Sequence, residues 1–167
     1  MNRDLADAGL EGEGIVDDSV WIIKTHYPEW CGFGKFEANK CLMVVRSPID
    51  AVVSLWNMIG TSTHDKSIHP EDFGKFPELF ELFTTNEITV WRDFHKWWLD
   101  KHIPTYIMRF EDLLSKPKEI LTNVFRFLLS ADDISGTVIE ALIAKATYTG
   151  EAPQLYKPRS GGINKNI

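Results

Sequence analysis

Apolar residues along this chain fall into two patterns: short unbroken runs, and stripes at helical spacing. Cys41-Leu42-Met43-Val44-Val45 is an unbroken run rich in β-branched residues, which predicts a strand covered on both faces of a parallel sheet. Val20-Trp21-Ile22-Ile23 predicts a second short buried strand, and Thr105-Tyr106-Ile107-Met108 a third. The stripes follow. Ala51, Val52, Leu55, Trp56 and Ile59 recur at helical spacing behind Ser47-Pro48, an N-cap residue and a first-turn proline, with Asp50 in the first turn and Gly60 placed to end the helix. Thr84-Thr85-Asn86-Glu87 is a capping box, which predicts a helix opening there with Ile88, Trp91, Phe94 and Trp98 on one face. Ile120, Leu121, Val124, Phe125, Leu128 and Leu129 predict an amphipathic helix over 118–129, and Val138, Leu142 and Ile143 another within 132–147. Between them, 30–40 reads as a loop with a short helix, and 61–77 as a polar loop long enough to serve as a substrate lid or binding loop. Residues 1–19 are acidic and aperiodic and read as a flexible segment preceding one domain over 20–167.

Strands alternating with helices place the chain in the α/β class. At 167 residues, 44% hydrophobic and 25% charged, it has the composition of a globular domain. The net charge of −6 argues against nucleic acid or an anionic membrane as main partner, so any anion site must be a local basic pocket. There is no apolar run of membrane-spanning length and no signal-peptide pattern in the first residues. Cys31 and Cys41 lack metal-ligand spacing and read as reduced thiols, with a disulfide between them as the alternative; reduced thiols favour a cytoplasmic location. His64 and His69 stand five apart without the cysteine or carboxylate pair that would complete a metal site.

The candidate chemistry sits where runs give way to stripes. In open α/β sheets, ligands bind at the carboxyl ends of the strands. Lys24-Thr25-His26 follows the first run, Arg46 the second and Arg109-Phe110-Glu111-Asp112 the third. A strand that enters a helix N-terminus through an arginine can hold a phosphate between backbone N–H groups and a guanidinium. Ser54, two helical turns beyond Arg46, adds a hydroxyl. The terminal Arg159-Ser160-Gly161-Gly162 can wrap a phosphate with backbone amides, or be a flexible tail.

This ordered series resembles the sulfotransferases that use 3′-phosphoadenosine-5′-phosphosulfate (PAPS). Lys24-Thr25-His26-Tyr27-Pro28 is similar to the family's Lys-Thr-His-Leu-Pro segment, whose histidine is the general base. Arg46 and Ser54 match the arginine and serine of its 3′-phosphate signature in identity and spacing. Trp91 to Trp98 resembles the aromatic helix before the family's next strand, and Arg109 to Leu113 with Lys116-Pro117 its Tyr-Glu-Asp-Leu…Pro segment, Phe110 replacing the tyrosine. The family's 5′-phosphosulfate loop, with its lysine, belongs upstream of Lys24, where this sequence has no such loop, and the terminal Arg-Ser-Gly-Gly is shorter than the family's motif.

The resemblance implies a P-loop-like three-layer α/β/α sandwich around a parallel sheet, incomplete at its N-terminus. It implies sulfuryl transfer from PAPS to a hydroxyl or amine, with 3′,5′-ADP (PAP) as product and no metal. His26 would be the general base and Lys24 would stabilise developing charge; Arg46, Ser54, Phe110, Arg159 and Gly161 would bind the nucleotide. The acceptor would be a small molecule or a glycan, and a homodimer is compatible with the pattern. The alternative is a truncated or non-catalytic sulfotransferase-like domain serving as a nucleotide-binding or interaction module. A nucleotide kinase lacks support, since no Gly-x-x-x-x-Gly-Lys-Ser/Thr loop is present.

Overall fold

The computed structural model describes residues 15, 17–25 and 37–147. Two strands, β1 (Cys41–Val45) and β2 (Thr105–Arg109), pair in parallel with Cys41 opposite Thr105 and Val45 opposite Arg109. The helices are α1 (Pro48–Thr61), α2 (Pro70–Phe73), α3 (Pro77–Leu99), α4 (Phe110–Ser115), α5 (Pro117–Leu129) and α6 (Val138–Ala146). Parallel strands need a long crossover between them, and α1 to α3 supply it.

Side chains alternate across a strand, so Cys41, Met43 and Val45 share one face of β1 and Leu42 and Val44 the other. On the first face lies α3: Cys41, Met43 and Trp98 form a buried cluster with Val45, Phe94, Trp97 and Ile103 packed around it. Burial there pushes the Cys41 thiol's pKa up. On the second face lies α5, with Phe127 against Tyr106 at 5.6 Å between ring centroids. Helix, sheet, helix is the three-layer order expected of a parallel α/β fold. Helices α1 and α3 pack on each other through Trp56, whose ring meets Phe80 at 5.3 Å and Phe83 at 5.0 Å. Among the described residues no helix is long and apolar enough to cross a membrane.

Several expectations need correction. Residues 20–23 form no strand: Trp21 and Ile22 are exposed, and among the described residues β1 pairs with β2 alone. Apolarity makes a strand only where a ladder partner takes up its backbone groups. Strand β1 is not covered on both faces; Leu42 and Val44 are exposed because α5 sits over β2 rather than over β1. Helix α3 begins at Pro77, well before the capping box, because Phe80 and Phe83 pack on Trp56 and extend the helix in that direction. The 61–77 loop carries α2, capped by His69, whose Nδ1 accepts from the Glu71 amide at 3.4 Å. Helix α1 runs past Gly60 to Thr61 and ends at Ser62 in the left-handed conformation. Gly60 answers a different need: a Cβ there would stand 2.6 Å from Ile68 Cδ1. The last helix is shorter than 132–147, starting only after Gly136 at φ +72° and the Thr137 cap.

Two polar groups tie the connections to the core. Asn57, 2% exposed, donates from Nδ2 to the Val53 carbonyl at 2.9 Å and accepts the Ile68 amide on Oδ1 at 2.7 Å, stapling the loop after α1. Lys40 closes the C-terminus of α5, its Nζ donating to the Phe127 and Leu128 carbonyls at 2.5 and 3.0 Å, where cationic charge also suits the helix dipole. Asn57→Ala should cost about 2 kcal/mol, since it strands the Ile68 amide in a buried place. Urea unfolding measures this, and a loss under about 0.5 kcal/mol, the range of neutral surface changes, would show the staple idle.

Candidate active site

Because β1 and β2 run parallel and in register, both leave the sheet at the same level. The segments that follow are therefore neighbours: Arg46-Ser47 leads into α1 and Phe110-Glu111 opens α4. The Arg46 guanidinium lies over the Phe110 ring at 4.8 Å from its centroid. The Ser47 amide, at the N-cap of α1, donates to Glu111 Oε1 at 2.9 Å. Glu111 Oε2 faces Arg109 Nε at 3.8 Å, and Arg109 also faces Asp112 at 3.8 Å. The internal cap of α1 is weaker, with the Asp50 amide 3.5 Å from Ser47 Oγ.

The Ser47 amide holds the Glu111 carboxyl below the usual carboxylate range, helped by its own backbone amide and then by Arg109 and Arg46. Arg46 is half-buried, and among the described residues no carboxylate comes within 4.0 Å of it, whereas Arg92 has one and Arg109 two. Ser54 lies seven residues beyond Ser47, which brings it back to the same side of α1 about 10 Å along the axis. Among the described residues its hydroxyl has no hydrogen bond, whereas Thr61 Oγ1 on the same helix bonds the Asn57 carbonyl. A guanidinium without an ion-pair partner among the described residues, lying on an aromatic ring beside a helix N-terminus, suits a phosphate.

A cleft of about 280 Å³ adjoins Arg46, walled by Val44, Ala51, Val52, Leu55, Val90 and Phe94, with Thr25, Glu87, Trp91 and His95 also lining it. Trp91 Nε1 donates to the Arg46 carbonyl at 3.3 Å. His95 Nδ1 lies 2.6 Å from the Trp91 carbonyl, which can only accept, so the proton is on Nδ1. Helix α3 thus holds the end of β1 through an indole.

A family model described as a sulfotransferase domain matches residues 16–147. The chain belongs to the sulfotransferase domain family. No match to it was found among curated proteins or among solved structures.

Set in this sulfotransferase domain, the sequence-predicted residues divide. Arg46 and Phe110 are in contact. Thr25 reaches the same cleft as Arg46, while Lys24 is exposed. His26, Arg159, Gly161 and Cys31 lie outside the described residues. Two contributors were missed. Trp91 reads in the sequence as core, yet its indole bonds the strand end; Glu111 reads as part of a motif, yet it holds the start of α1. The signal available was topological: two strands expected to be parallel, each running straight into a helix, bring the residues after them together.

Because the Glu111 carboxyl is lower in the folded chain than its ordinary value of about 4.3, its contribution to stability is present above that value and lost as pH falls through the folded one. The thermal-stability gap between wild type and Glu111→Gln should be constant above about pH 5 and shrink below about pH 4. A gap unchanged at acid pH would show that the carboxylate's charge contributes nothing to folding.

Proposed function

We propose that this sulfotransferase domain takes its sulfuryl group from PAPS and passes it to a hydroxyl or amine of a small acceptor. The observation that carries this reading is the pairing of a guanidinium that has no ion-pair partner among the described residues with the aromatic ring beneath it. Arg46 and Ser54 would hold the nucleotide's 3′-phosphate, and Phe110 would supply apolar contact. Arg159 and Gly161 would add to that grip from the end of the chain. When bound, the nucleotide supplies the activated sulfuryl group.

The chain's own residues have three tasks. His26 takes the proton from the acceptor oxygen or nitrogen as that atom becomes a nucleophile. Lys24 places positive charge where negative charge builds up. The cleft beside Arg46 and Thr25 orients the acceptor, and its apolar walls favour an acceptor with an apolar body over a glycan. No step calls for a metal.

A titration of the chain with 3′,5′-ADP and with 5′-ADP tests the donor assignment. We expect tighter binding of 3′,5′-ADP, and Arg46→Ala should weaken it more than tenfold, about 1.4 kcal/mol. Equal affinity for the two nucleotides, or an Arg46→Ala variant that binds as well as wild type, would overturn the assignment. In turnover assays His26→Ala should lose activity while keeping 3′,5′-ADP affinity; loss of binding instead would make His26 structural.

A further inference from the structure

We infer that Glu111 is a positioning residue for 3′-phosphate recognition: its carboxylate holds the amide end of α1 so that Arg46, and not the open helix N-terminus, reads the anion. The inference rests on the donor reading above. Three observations carry it. Glu111 Oε1 takes the Ser47 amide at 2.9 Å, so the N-cap N–H of α1 is not offered to a ligand. Its other oxygen stands 3.8 Å from Arg109, which ties the carboxylate to β2. Phe110, the adjacent residue, is the surface on which the Arg46 guanidinium lies at 4.8 Å. One short segment, Arg109-Phe110-Glu111, therefore sets the backbone on the C-terminal side of Arg46 and the resting place of its side chain. Trp91 sets the carbonyl of Arg46 from the opposite helix.

The physical consequence has a sign that separates positioning from simple charge. A carboxylate near an anion site repels the anion, so removing it should tighten binding if charge alone counts. Removing it also frees the Ser47 amide and releases the start of α1. A phosphate can then settle on the helix N-terminus without engaging Arg46. Discrimination between nucleotides with and without a 3′-phosphate should therefore fall, although the site has become more positive. A glutamine keeps an oxygen acceptor for the Ser47 amide while losing the charge, so it should keep the discrimination.

The test is a titration of the full chain with 3′,5′-ADP and 5′-ADP for wild type, Glu111→Ala and Glu111→Gln, with hydrogen exchange of the Ser47 amide measured in parallel. We expect Glu111→Ala to lose about tenfold in preference for 3′,5′-ADP and to exchange the Ser47 amide faster, with Glu111→Gln close to wild type in both. Tighter 3′,5′-ADP binding with undiminished preference in Glu111→Ala would overturn the inference while leaving the donor reading intact. Equal loss of preference in the alanine and glutamine variants would also overturn it, by making the charge itself the determinant. Absence of any 3′-phosphate preference in wild type would overturn both. If Glu111→Ala fails to fold, the glutamine variant decides: retained preference with a protected Ser47 amide supports positioning, and lost preference with that amide still protected refutes it.

Discussion

The parallel register of β1 and β2 is the constraint on which the rest of the site depends. With Val45 opposite Arg109, the two chains leave the sheet at one level, and the residues that follow must share a small volume. The arrangement is stable because the polar groups there answer one another. The Ser47 amide finds Glu111, Glu111 finds Arg109, and the Arg46 guanidinium finds the Phe110 ring. Among the described residues, what is left over is the hydrogen-bonding capacity of Arg46. A guanidinium without an ion-pair partner among the described residues suits an anion from outside, even in a chain of net charge −6.

Much of this was legible in the sequence, and the exceptions have physical causes. The β1 run, the Ser47-Pro48 start of α1, the third run at β2 and the amphipathic stripe of α5 were readable because each is specified locally, by periodicity and by capping residues. Residues 20–23 misled because apolarity describes what a segment can bury, while a strand also needs a neighbour for its backbone. The capping box misled because Trp56, far along the chain from Thr84, rewards a longer α3 through its contacts with Phe80 and Phe83. Gly60 sits inside α1 rather than at its end, and its small size leaves room for Ile68. At the site, residue types and spacing pointed to Arg46, Ser54 and Phe110, but the partnership of Glu111 with Ser47 spans 64 residues of sequence and comes from register alone.

In this sulfotransferase domain the corner that carries Arg46 adjoins a cleft. Helix α3 contributes to both, holding the Arg46 carbonyl with Trp91 and lining the cleft with Glu87, Trp91 and His95. The cleft wall is thus bonded to the strand end that carries Arg46. Under the proposed function, an acceptor in the cleft and a donor at Arg46 would share this backbone, and transfer requires the two to be aligned.

The most direct measurement is a crystal structure of the chain with 3′,5′-ADP bound. The proposed role of Arg46 predicts the 3′-phosphate within hydrogen-bond distance of the Arg46 guanidinium and of Ser54 Oγ, with the Ser47 amide still donating to Glu111. A phosphate seated on the Ser47 amide with Glu111 displaced, or a nucleotide bound away from Arg46 altogether, would contradict it.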